Sequence, residues 1–113
     1  MDKKTFASLK SLCSPPKVIV DVMKAFLLLL YQSEDVKDWK TCQKKLADPS
    51  NLITKMEHFD PLYCTVSAAQ KAEDLIATET VDTVRHYSLD AGQVYKWTKA
   101  MIDQVKSSGG LKA

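Results

Sequence analysis

The stretch at 18–31 constrains the fold more than any other part of the chain. Val18, Val22, Phe26 and Leu30 recur every four residues, and Ile19, Met23 and Leu27 run as a parallel row beside them. Apolar residues at this period line one side of an α-helix, and two adjacent rows make a stripe that other elements must cover. The run falls short of the ~20 apolar residues that cross a bilayer, and Asp21 and Lys24 interrupt it. It predicts the central helix of a core, not a membrane anchor. Lys17, Asp21 and Lys24, spaced by four and three, stack on the opposite face, so two lysines look outward together.

The flanks of this helix are legible by their breakers and seams. Upstream, Phe6, Leu9 and Cys13 have the a-d-a spacing of a coiled-coil seam, with lysines and serines between them. Pro15 and Pro16 then interrupt the helix, because each ring fixes φ and lacks an amide hydrogen, and Ser14 before them is driven out of the α region. They form a hinge between an outgoing helix at 1–14 and the globule at 15–92. A polar break at 32–35 precedes a short helix containing Val36, Trp39, Lys40 and Leu46, basic on its surface at Lys44 and Lys45. Asp48 or Ser50 caps a third helix with Leu52, Ile53 and Met56 inward and Lys55 outward, and Asp60-Pro61 ends it.

The alanine-rich stretch at 65–77 reads as a helix with Val66, Ala69, Ala72, Leu75 and Ile76 inward, and 78–87 as a short helix or turn. Ser88 is the expected N-cap of the last helix, whose seam Val94, Trp97 and Met101 mirrors the first. This helix continues into the second, returning helix of the short coiled coil at 93–106, and 107–113 form a Ser/Gly-rich flexible tail. Leu12 and Cys13 on one side, and Gln104 and Val105 on the other, offer alternative next positions for two registers. With only three glycines and four prolines in 113 residues, little material remains for hairpins. The fold class is therefore all-α: a compact bundle of about six helices capping a short antiparallel two-helix coiled coil.

Chemistry is harder to find. The three cysteines are widely spaced, with no CxxC pair and no leader ahead of them, so a reduced, intracellular chain is expected. No Cys, His, Asp or Glu set has zinc-ligand spacing, and neither His58 nor His86 is spaced to make a dyad with a cysteine. Glu73 and Asp74 fall on an exposed helix face, and no glycine-rich phosphate loop occurs. Neither catalysis, nor metal, nor any cofactor is expected. Sixteen basic residues against fourteen acidic leave a net charge of only +2, which excludes a whole-molecule field suited to nucleic acid. An anionic partner must be met by a local patch, and Lys17, Lys24, Lys55, Arg85, His86 and Lys96 are the outward basic residues that supply it.

Ser14-Pro15-Pro16, Val22-Met23, Leu27 to Leu30, Asp38-Trp39-Lys40, Ser88-Leu89, Ala91-Gly92 and Lys96-Trp97, in that order from Leu9 to Met101, resemble the stalk-tip microtubule-binding domain of dynein heavy chains. The resemblance implies a helical globule between two antiparallel stalk helices, joined through them to the rest of the heavy chain. It also implies a microtubule (α/β-tubulin) as partner, contacted by Lys17, Lys24, Lys55, Arg85, His86 and Lys96, with affinity set by the register of the stalk helices. The ATPase would lie outside this chain, no nucleic acid or membrane partner is implied, and the location is the cytoplasmic cytoskeleton, with the axoneme of a cilium or flagellum favoured. Three positions depart from the family pattern: Val20 stands where members often carry lysine, His86 where many carry arginine, and Lys55 replaces a lysine that relatives place nearer the helix end, at Glu57. The rival expectation is a non-motor helical adaptor that packs a partner helix into an apolar groove.

Overall fold

The Asp2 carboxylate accepts the Thr5 amide at 3.1 Å and starts the first helix, α1 (Lys3–Lys10), which buries Thr5, Phe6 and Leu9. The computed structural model describes residues 1–32 and 36–110. Past α1 the chain turns through Ser14, Pro15 and Pro16. Pro16 sits extended at φ −62° and ψ 159°, and α2 (Lys17–Tyr31) begins at the next residue. Eight of its fifteen residues are buried, among them Ile19, Val22, Met23, Phe26 and Leu27, so it is the core's central helix, as its periodicity predicts.

Gln32 stops α2 in the left-handed region at φ 50°. Its backbone amide returns to the Leu28 carbonyl at 2.7 Å. Its side chain donates to the Tyr63 carbonyl at 3.3 Å and accepts from the Thr65 amide at 3.0 Å. One residue thus satisfies both a helix end and a distant loop, which offsets the cost of its backbone conformation. Of the polar break expected at 32–35, residues 33–35 lie outside the described residues.

α3 (Trp39–Leu46), α4 (Pro49–Glu57), α5 (Val66–Ile76), α6 (Val81–Tyr87) and α7 (Leu89–Ser108) follow, with one 3-10 turn at Pro61–Tyr63 between α4 and α5. Each starts on an oxygen-bearing side chain that accepts an amide three residues on, or two for the turn: Asp38, Asp48, Asp60, Thr65, Thr80 and Ser88. Pro49 and Pro61 occupy first-turn positions where the missing N–H costs nothing. Gly109, at φ 86°, closes α7. The described residues are thus all-α.

α2 packs most extensively on α5 and α7, and α6 folds back on α7. The small residues Ala68, Ala69 and Ala72 face inward on α5 and let the backbones approach. At the centre, the Phe26 ring stacks on Phe6 at 5.7 Å and meets Trp97 edge-on at 5.5 Å, and Trp97 in turn meets Phe59 edge-on at 5.5 Å. α1, α2, the α4 exit and α7 therefore share one core. Among the described residues, no helix is long and apolar enough to cross a membrane.

α1 and the start of α7 lie side by side in opposite directions. Met1, Asp2 and Thr5 line a cavity with Gln93, whereas Leu12 and Cys13 line another with Tyr87 and Ser88. α1 also packs on α3 and α4. Its seam residues Phe6 and Leu9 are buried in the common core, and Cys13, the third position expected, lies beyond the helix end and is exposed. On the partner helix Val94 is buried, while Trp97 and Met101 are half-buried. Of the two alternative register pairs, Val105 is buried and Leu12 half-buried, whereas Cys13 and Gln104 face solvent. α7 is also longer than expected. It takes in Ser107 and Ser108, and Gly110 lies against Cys64, Val66 and Val105; 111–113 fall outside the described residues.

Candidate functional site

Among the described residues no group of three or more His, Cys, Asp or Glu side chains is placed to hold a metal ion. Cys42 is buried on α3, and burial pushes its thiol up to about 11. Burial also raises the Cys64 thiol. Both behave as small core hydrophobes. His58 faces its own helix, with Nδ1 2.9 Å from the Thr54 carbonyl oxygen.

What the surface offers is cations on short, well-capped helices. Lys17, in the first turn of α2, is exposed, but its Nζ lies 2.6 Å from Asp21 Oδ2. The hydrogen bond to Asp21 and its charge hold the ammonium above its usual range, and Glu79 adds to the effect. Lys24, two turns on, is half-buried and turned toward α3, close enough that its charge opposes the burial effect on the Cys42 thiol. Arg85 and His86 are exposed in the last turn of α6, with the His86 ring edge-on to Tyr87 at 5.6 Å. Arg85 is positioned from beneath. Its aliphatic stem crosses Gly92 of α7 so closely that a Cβ there would overlap the Arg85 Cγ. Lys96, one turn further along α7, is exposed on the rim of a cavity of about 550 Å³ shared with Glu79, Val81, Tyr95 and Asp103.

Lys17 and Lys96 therefore approach the same feature, Glu79, and Arg85 and His86 stand on the helix that follows it. Lys55 is elsewhere. Its Nζ sits 4.9 Å from the centroid of the Tyr31 ring, at the far end of α2 from Lys17. Fourteen residues of helix separate the two ends, about 21 Å. The six candidates thus fall into a group of four around α6 and α7, Lys24 midway along α2, and Lys55 at the opposite pole. Among the described residues, Lys24, Lys55, Arg85, His86 and Lys96 form no ion pair.

Three residues outside the expected site set, Tyr31, Lys45 and Asn51, complete the Lys55 pole. Lys45 Nζ lies 4.2 Å from the same Tyr31 ring centroid, and Asn51 Nδ2 donates to the Tyr31 hydroxyl oxygen at 3.1 Å. Lys44-Lys45 is legible as a basic doublet, but its convergence with a residue fourteen positions upstream and another ten downstream is a tertiary event without a local signal. The turn between α1 and α2 has a fastening of the same kind. Trp39 Nε1 donates to the Leu12 carbonyl at 2.7 Å, and Gln43 Nε2 donates to the carbonyls of Lys10 and Leu12 at 2.9 and 3.1 Å. Side chains of α3 thereby satisfy carbonyls at and just past the end of α1.

Comparison with protein-family models, with curated proteins and with solved structures finds no match to this chain.

Proposed function

We propose that the chain is a microtubule-binding module of the dynein stalk-tip kind, a binding part without catalysis of its own. In this reading α1 and α7 are the globule ends of the two antiparallel coiled-coil stalk helices that join it to the rest of a heavy chain, and it works on the cytoskeleton, with an axonemal setting favoured. The observation that carries the reading is the cationic group around α6 and α7. Arg85, His86 and Lys96 are exposed and unpaired among the described residues, and Arg85 is braced against Gly92. A braced, unpaired Arg85 suits an acidic protein surface, because little order has to be created in its side chain on binding.

The hinge supports the control that the resemblance implies. α3 grips the carbonyls of Lys10 and Leu12, so a shift of α1 along α7 pulls on α3, while α7 carries the floor under Arg85. Sliding of the two outer helices therefore acts on both sides of the globule.

Microtubule co-sedimentation across a salt series tests the reading. Pelleting should fall steeply between low salt and physiological ionic strength, where charges separated by more than ~8 Å are screened. Lys96→Glu and Arg85→Glu should each weaken binding by roughly two- to fivefold or more, the scale of a partly exposed charge, with the circular dichroism spectrum unchanged. Pelleting that ignores both salt and these variants removes the proposal. The adaptor reading has one observation in its favour, a cavity of about 380 Å³ lined by Leu9, Leu12, Pro15, Ile19 and Tyr87. It predicts saturable, salt-insensitive protein binding.

A further inference from the structure

We propose that the face built from α3, α4 and the end of α2 is a second docking surface, for an extended acidic polypeptide segment whose carboxylates are held by Lys45, Lys55 and the Tyr31 hydroxyl. This goes beyond the microtubule reading and does not depend on it.

The charge comes first. Five lysines, Lys37, Lys40, Lys44, Lys45 and Lys55, fall within 37–55 against two aspartates, although the whole chain carries only +2. Both aspartates are helix caps, and their charges still reach this face, Asp38 acting on Lys40 and Lys44 and Asp48 on Tyr31, which leaves an excess of three lysines. Asp38 Oδ1 accepts the amide and the hydroxyl of Thr41, at 2.9 and 2.7 Å, and Asp48 Oδ1 accepts the Asn51 amide at 3.2 Å. Among the described residues, none of the five lysines forms an ion pair.

Geometry turns this excess into a site. Lys45 and Lys55 come from different helices and approach one ring, at 4.2 and 4.9 Å from its centroid, each held by a cation–π contact. Because Asn51 donates to the Tyr31 oxygen, the hydroxyl proton remains available, and no acceptor within the described residues takes it. Burial raises the Tyr31 hydroxyl above its ordinary range, which keeps that proton in place. Each of these groups, the two ammonium groups and the O–H donor, is suited to a carboxylate oxygen, and together they give one ring's surroundings an affinity for acidic side chains. Beyond them Lys40 and Lys44, both exposed, stand one helical turn apart, roughly 5–6 Å. Alternate side chains of an extended peptide repeat at about 6.6 Å, so a chain with acidic residues at every second position meets the row in step.

The chemistry selects a polypeptide over other polyanions. No arginine lies in 37–55 to grip a phosphate bidentately. The aromatic rings nearby are engaged, Tyr31 by lysines and Trp39 by the Leu12 carbonyl, so bases find no free stacking platform. The exposed large apolar side chains, Met1, Leu62, Tyr63, Tyr87 and Leu89, belong to other elements, which leaves this face without an anchor for a bilayer.

The test titrates the full chain into a fluorescein-labelled deca-glutamate peptide and reads anisotropy, with a single-stranded oligonucleotide and phosphatidylserine vesicles in parallel. The peptide should bind, and Lys45→Gln, Lys55→Gln and Tyr31→Phe should each weaken it severalfold. Tyr31→Phe keeps the ring under the lysines and removes the hydroxyl together with the Asn51 hydrogen bond, so an unchanged circular dichroism spectrum and thermal midpoint are required to assign its effect to the lost donor. Lys96→Glu should weaken microtubule pelleting while leaving peptide affinity within a factor of about two, so failure of one proposal is separable from failure of the other. Peptide binding unchanged in Lys45→Gln and Tyr31→Phe, an equal loss in Lys96→Glu, or tighter binding of the oligonucleotide or the vesicles overturns the docking surface.

Discussion

At Gly92 the α6 backbone comes within van der Waals reach of α7, with the Arg85 Cα 3.5 Å from where a Cβ would stand. Gly92→Ala should therefore cost about 1–3 kcal/mol in a denaturant titration, the usual range for overpacking, and should weaken any binding that uses Arg85 without adding to the effect of Arg85→Ala. A second residue is better without its polar atom. Thr98 is fully buried and, among the described residues, its hydroxyl has no partner. Thr98→Val keeps the shape and should raise stability by roughly 1 kcal/mol, seen as a higher thermal midpoint. Cys42 sets an alkaline limit. Its folded thiol is raised from 9.0 to about 11, so the stability it contributes is complete below pH 9.0 and is lost as pH rises toward 11. The thermal midpoint should decline over that window, less steeply in Cys42→Ala. At neutral pH, alkylation should mark the exposed Cys13 and spare Cys42 and Cys64.

Among the helices, the caps and periods were legible and the tertiary ends were not. Ser88 reads as a cap from its place before the last apolar seam, and its hydroxyl does accept the Ala91 amide, at 3.1 Å. Ser88→Ala should lower stability by about 1 kcal/mol, and Ser88→Asp should retain it, both measured by chemical denaturation. The apolar rows of α2 identified the central helix for the same local reason. α1 is shorter than its sequence suggests: the spacing of Phe6, Leu9 and Cys13 reads as a continuing seam, whereas the chain leaves the helix at Ser11 and α3 takes over the freed carbonyls. The site divides in the same way. Exposure of Arg85 and Lys96 follows from helical phase, but the Asp21 partner of Lys17 and the gathering of Lys45 and Lys55 on Tyr31 depend on rotamers and on helix crossings that no short spacing encodes.

The whole molecule turns on Phe26, where α1, α2 and α7 meet through Phe6 and Trp97. Phe26→Ala should cost about 3–5 kcal/mol, a large share of the 5–15 kcal/mol typical of a domain this size. Near-ultraviolet dichroism and Trp97 emission should both be lost at lower denaturant, in one transition. The two tryptophans differ in kind. Trp97 is half-buried, wedged between Phe26 and Phe59 at the edge of the core, while Trp39 hangs its indole N–H on the Leu12 carbonyl at the joint between the first helix and the rest. The molecule consequently carries two native optical gauges. With Trp97→Phe leaving the interior silent, the emission colour of Trp39 becomes a strain gauge on the joint, able to register a tug on α1 before any part of the interior yields.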